Sequence, residues 1–175
     1  MSANSSSADS SRFGEIEQIS ISQGGVPKYA VLQAEAGPHG IAGDVQKHPE
    51  IHGGPRQAIL WITSEGLAEL RAQGFPLHAG SLGENITTKG VDRRQLRAGQ
   101  RWRMGEIEIE ITKRRAPCKQ LLHYGEGIHK AIFDEQVKAN DPSSPLWGLS
   151  GVYCAVVKSG TIRPGDPVTL LTTEA

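Results

Sequence analysis

Cys118 is the residue best placed to do chemistry in this chain. It follows the alternating run Glu106-Ile107-Glu108-Ile109-Glu110-Ile111-Thr112 and the cationic segment Lys113-Arg114-Arg115-Ala116-Pro117. Pro117 has no amide donor, so it ends a regular ladder and leaves the thiol at a strand end. Arg114, Arg115 and Lys119 flank the cysteine, and neighbouring cations favour the thiolate, the form that acts as nucleophile and soft metal ligand. The bland alternative is a small buried apolar residue. The proline and the cations favour the reactive reading.

Other segments offer binding groups. In His52-Gly53-Gly54-Pro55-Arg56 the two glycines carry no side chains, so backbone amides could approach an anion, with His52 and Arg56 adding donors. The same residues could equally form a tight turn before the apolar run Gln57–Ile62. Asn85, in the turn-like Gly83-Glu84-Asn85, could present an acceptor and donors to a heterocycle edge, or close an Asx turn. Arg115 could pair with a phosphate or a substrate oxygen, or remain an exposed charge. Asp44 and His39 lie in a long loop where a solvated position is the simpler reading. Cys154 shares its strand face with Val152 and Val156 and reads as core. His78, His123 and His129 lack HxH or HExxH spacing and suggest no zinc site.

Composition narrows the function classes. The 175 residues fit one domain, and Lys+Arg and Asp+Glu balance at 19 each, which gives no support for binding a nucleic-acid polymer or an anionic membrane. Two cysteines without CxxC spacing cannot supply a four-thiolate zinc site or iron–sulfur cluster, so any electrons must come from outside. Residues 1–14, MSANSSSADSSRFG, read as a disordered tail and not as a secretory signal. No apolar segment has the length to span a bilayer, and a cytoplasmic location is expected, where a Cys118–Cys154 disulfide would not persist.

The elements that position these residues are mostly short strands. Gly at 21 and Pro at 10, against 5% aromatics, imply many turns. Glu15–Ser22 reads as a first strand and Lys28–Glu35 as a partner for it. Gln57–Ile62 reads as a strand buried on both faces. Thr63 or Ser64 then caps a helix that runs to about Gln73 and stops at Gly74. Residues 100–104 and 107–112 form a hairpin around Gly105-Glu106, with the isoleucines on one face and the glutamates on the other. A helix is expected after Cys118 through Ile128, Ile132, Phe133 and Val137, ending near Asn140-Asp141-Pro142. Further strands follow from Gly151 to Leu170. The fold class is mainly β, a barrel with a few peripheral helices.

The ordered set Gly43-Asp44, His52-Gly53-Gly54-Pro55, Gly83-Glu84-Asn85-Ile86-Thr87, Arg115-Ala116-Pro117-Cys118, Gly151-Val152-Tyr153 and Gly165-Asp166 resembles the MOSC domain, named for the C-terminal domain of molybdenum-cofactor sulfurase. The likeness covers about residues 15–171, read as a single domain of the small stand-alone bacterial type. The chain leaves no room for a pyridoxal-phosphate sulfurase domain, so pyridoxal phosphate would belong only to a separate partner. The resemblance implies a barrel related to the barrel domain of pyruvate kinase and a molybdopterin-type molybdenum cofactor near Cys118, which matches the position that ligates molybdenum in related eukaryotic enzymes. Stand-alone relatives include reductases of N-hydroxylated compounds. Where members often carry an acidic residue after His-Gly-Gly-Pro, this chain has Arg56.

The expected function is therefore a molybdenum-dependent oxidoreductase. Cys118 would serve as catalytic and metal-binding residue, His52, Gly53, Gly54, Arg56, Asn85 and Arg115 would bind the cofactor, and an external reductase would donate electrons to an N-hydroxylated small-molecule substrate. Two alternatives stay open: a sulfur carrier with a Cys118 persulfide, and a noncatalytic binding module.

Overall fold

Ile107, Ile109 and Ile111 are almost fully buried, whereas Glu108 and Glu110 turn outward to pair with Arg103 and Arg101. That two-residue period builds the wall of a closed barrel. The structure, a computed structural model, describes residues 12–46 and 49–172. Its elements are β1 (Arg12–Ile21), β2 (Tyr29–Val31), β3 (Ala34–Gly37), β4 (Gly40–Ile41), α1 (Pro49–His52), β5 (Ile59–Thr63), α2 (Ser64–Ala72) and β6 (Ile86–Lys89). They continue with β7 (Arg101–Met104), β8 (Ile107–Arg114), α3 (Ile128–Ile132), α4 (Glu135–Lys138), β9 (Val152–Lys158), β10 (Gly160–Ile162) and β11 (Pro167–Thr172).

Seven strands run in the order β11-β7-β8-β9-β5-β6-β1, and β1 pairs with β11 to close the ring. All neighbours are antiparallel except β5 and β6. Full closure leaves the ring without a free edge. β2 extends β1 on the outside, and β10, β3 and β4 form a small separate sheet. None of the described helices is long and apolar enough to cross a membrane.

Two apolar clusters follow from the alternation. The barrel interior holds Ile16, Ile59, Trp61, Trp102, Ile109, Val152 and Cys154, with Trp61 and Trp102 edge to face at 5.3 Å. Cys154 is the core thiol expected, and burial pushes its ionisation well up. The second cluster lies outside the wall and joins Ile62, Leu67, Leu70, Leu82, Leu121 and Ile128. β5 therefore feeds both clusters, as its unbroken apolar run required.

The helix after β5 starts as the sequence indicated. Thr63 is its N-cap and its hydroxyl accepts from the Gly66 N–H at 3.2 Å. Thr63→Ala should lower stability by about 1 kcal/mol in urea unfolding, without changing the cavity described below.

Three expectations are corrected. β1 begins at Arg12 instead of Glu15, because Arg12 and Gly14 pair with Thr169 and Val168; of the tail expected over 1–14, only residues 1–11 lie outside the described residues. Only Tyr29–Val31 of the Lys28–Glu35 segment pairs with β1, since Ala34–Ile162 pairing draws β3 into the small sheet. The single helix expected after Cys118 is broken into a 3-10 turn at Lys119–Tyr124, then α3 and α4. Gly125 sits at φ 134, Phe133 is extended at φ −154, and the Asp134 carboxylate caps α4 by accepting from the Val137 N–H at 2.7 Å. Gly125 and Phe133 each end a helical run, and Asp134 starts the last one.

Candidate functional site

Cys118 lies just past the end of β8, and a bulge decides where that end points. Along β8 and β9, Ile111 pairs with Cys154 but Lys113 pairs with Tyr153, so Thr112 is an extra residue. Its hydroxyl donates to the carbonyls of Arg56 and Tyr153 instead. The extra residue reverses the alternation. Lys113 and Arg115 thus share the outer face with Tyr153, whereas an unbroken strand would aim them into the barrel. The Arg115 N–H donates to the Gly151 carbonyl at 2.9 Å as the last rung.

The cavity at that place lies on the outer wall of the barrel, between the wall and the second apolar cluster. Leu60 and its cross-strand partner Tyr153 form its floor, with Cys118, Arg115, Lys28 and Asn85 around it. Its volume is about 60 Å³, and a second cavity of about 320 Å³, beside Ile51, Lys113 and Ala116, shares Gln57 and Tyr153 as lining residues.

The thiol is half-buried and its loop is pinned: the His129 ring Nε2 lies 2.8 Å from the Cys118 carbonyl, and the Leu121 N–H donates to the same oxygen at 3.1 Å. Arg115 is only 3% exposed. Its Nη2 donates to the Leu82 carbonyl at 2.9 Å and stands 3.8 Å from Sγ of Cys118, but its Nε and Nη1 find no hydrogen-bond partner among the described residues. A buried cation with two donor nitrogens left idle is costly. Burial also pushes the Tyr153 phenol up, opposed by the adjacent Arg115 guanidinium.

Of the cations flanking Cys118 in sequence, Arg115 is the one brought to the sulfur. Arg114 turns away to the Lys138 carbonyl, the Asn140 amide oxygen and the Phe133 ring.

Asn85 reaches the site, yet its amide is already committed. Its Oδ1 accepts from the Leu60 N–H, and its Nδ2 donates to the Ser20 carbonyl and to Asp44. Asn85 therefore ties β1 and β5 together and orients Asp44, with both ends of its amide bonded inside the chain. Asp44 is not solvated as the loop composition suggested: its side chain is 5% exposed, accepts from the Ser22 N–H and pairs with Lys28, whose side chain is 10% exposed. His39 stays exposed.

The glycine-rich segment is placed differently. Gly53, Gly54 and Arg56 do not line the Cys118 cavity; Gln57 is what that stretch contributes. Arg56 is largely exposed, 3.6 Å from Glu110. The His52 side chain lies outside the described residues.

Sequence reasoning missed Lys28, Glu84, Tyr153 and His129. Glu84 is fully buried and its carboxyl is pushed up by burial, against hydrogen bonds from Gly80 and Thr87 and the charge of Arg115. An acidic residue inside an apolar-flanked turn was the available signal. Among the described residues no group of three or more His, Cys, Asp or Glu side chains could hold a metal.

Comparison with known proteins bears on the family and the fold. The family model described as MOSC domain matches residues 48–169. Protein YiiM of Escherichia coli (strain K12) is 30% identical over 89 residues, covering 49% of this chain and 40% of its own length. The uncharacterized protein YflK of Bacillus subtilis (strain 168) is 26% identical over 132 residues, covering 74% and 54%. The chain thus spans about half the length of these relatives. The crystal structure of YiiM from Geobacillus stearothermophilus superimposes with a TM-score of 0.69 at 23% identity over 91% of this chain and 75% of that one, which shows the shared fold.

Proposed function

The chain belongs to the MOSC domain family, and from that premise we propose that it holds a molybdenum–pterin cofactor through Cys118 and reduces N-hydroxylated compounds with electrons from an external donor. The observation that carries this reading is the buried Arg115 guanidinium, two of whose nitrogens lack a partner, on the wall of the same cavity as the Cys118 thiol. A soft sulfur ligand beside an unsatisfied buried guanidinium suits a metal carried by an anionic cofactor. Molybdenum would take a single protein ligand here, its remaining ligands belonging to the cofactor. Arg115 and Lys28 would hold the anionic groups, and the amides of Gln46, Gln57 and Gln120 would face the rest.

When bound, the cofactor supplies the two-electron oxygen-atom transfer that no side chain can provide. The chain's own residues orient and protonate. Converting R–NHOH to R–NH2 and water takes up two electrons and two protons. The proton-bearing groups at hand are the Lys28 ammonium, held by Asp44, and the Tyr153 phenol, whose ionisation burial pushes up. Leu60, Leu82 and Val26 limit water at the sulfur. The second cavity, with Lys113 over the Tyr153 ring, gives the substrate its approach.

Elemental analysis and pterin fluorescence of the wild-type protein, purified from a host that makes the cofactor, test the reading. Near-stoichiometric molybdenum with pterin, and reduction of a hydroxylamino substrate once a competent donor is added, are expected. Protein free of both metal and pterin would overturn it.

A further inference from the structure

Arg115 and Lys28 come from distant parts of the chain, yet one turn holds both. The turn is residues 80–84, and its organiser is a carboxylate that no step above uses. Glu84 is fully buried; its Oε1 accepts from the Gly80 N–H at 2.7 Å and from the Thr87 hydroxyl at 3.2 Å, and its Oε2 accepts from the Leu82 N–H at 3.1 Å. The two backbone units it grips are the ones that reach the cations. The Leu82 carbonyl receives Nη2 of Arg115 at 2.9 Å. The Gly80 carbonyl accepts the Lys28 N–H at 2.9 Å, and Gly80 is pressed so closely on Lys28 that a Cβ there would come within 2.2 Å of its carbonyl oxygen.

We propose that Glu84 is a positioning residue: its carboxylate fixes the 80–82 turn so that Leu82 holds one edge of Arg115 and keeps its guanidinium at the cavity wall for an oxyanion next to Cys118. The inference rests on the reading of that cavity as an anion site. A carboxylate is required because both contacts are N–H donors arriving on different oxygens. A glutamine can accept one and must oppose the other with its own NH2. The negative charge also balances Arg115 in a place without water.

The test uses the full chain and inorganic phosphate as the probe. Phosphate is titrated against alkylation of Cys118 by iodoacetamide; Cys154 is fully buried and stays unlabelled. In the wild type, phosphate should slow labelling. In Glu84→Gln the half-protecting concentration should rise about tenfold, the scale of a hydrogen bond to a charged group. Arg115→Gln should weaken protection at least as much, and the double variant no more than Arg115→Gln alone, because Glu84 acts through Arg115. A merely structural glutamate would lower the melting temperature and leave the half-protecting concentration unchanged, or add to the arginine effect; either result overturns the proposal. Wild-type protein that phosphate does not protect would overturn the anion reading and this inference with it, a failure distinct from that of Glu84 alone. If Glu84→Gln does not fold, amide exchange in the wild type decides: Gly80 and Leu82 should be as protected as barrel strands, and open-loop exchange rates would remove the clamp.

Discussion

Cys118→Ser protein is expected to fold as the wild type does and to lose bound molybdenum by more than about tenfold, the lower end of what perturbing a metal site costs. The substitution leaves the loop intact. The contacts that place residue 118 are made by its carbonyl, with His129 and Leu121, while the side chain packs against the edge of the second apolar cluster and lies 3.8 Å from Nη2 of Arg115. What changes is the ligand itself, from a polarisable sulfur to a hard hydroxyl that stays protonated near neutral pH. Metal content measured beside a circular-dichroism spectrum therefore separates ligation from folding. Full retention of molybdenum in the serine variant would remove Cys118 from the ligand set. A metal-free wild type that yields sulfane sulfur to cyanide, with none from the serine variant, would instead move the chemistry to a persulfide.

Asp44→Ala should be the most damaging substitution for stability outside the barrel interior, at about 3–5 kcal/mol, the usual cost of leaving one partner of a buried ion pair alone. Both side chains of the Lys28–Asp44 pair are nearly hidden. Asp44 also accepts from the Ser22 N–H and the Asn85 amide, so its loss strands two donors as well as a cation. Lys28→Met/Asp44→Asn should recover at least half of the loss, since no charge then remains buried and the asparagine oxygen still serves Ser22. Urea midpoints at constant slope read both variants. A double variant no more stable than Asp44→Ala would show that the hydrogen bonds, not the charge, dominate.

The barrel was legible where periodicity is strict. Ile107, Ile109 and Ile111 announced both the strand and its buried face, and the apolar run at 59–62 announced a strand with two buried faces. The ordered motifs brought Arg115, Cys118 and Asn85 to one place, and the structure does gather them. The bulge at Thr112 was not legible, because nothing in Ile-Thr-Lys-Arg distinguishes an extra residue from a continued ladder; register is decided by the partner strand. For the same reason Arg115 could not be told from an exposed charge. Lys28 and Glu84 were hidden differently. Each is ordinary in composition; Lys28 becomes a site residue only when the distant Gly80 turn folds against it, and Glu84 only through the hydrogen bonds inside that turn. Arg56 lies exposed beside Glu110, and no local pattern specifies on which side of the wall a glycine pair falls.

The position of the cavity on the outside of the wall separates two kinds of selection along the same strands. In β5 and β9, Ile59, Trp61, Val152 and Cys154 face a closed interior, while the alternate residues Leu60 and Tyr153 face the cavity. A change at an outward position can reshape the pocket without creating a void in the barrel, and an inward change can retune the scaffold without touching a ligand. Divergent descendants of such a chain could therefore acquire new substrates one alternate residue at a time, with the folding information left in place.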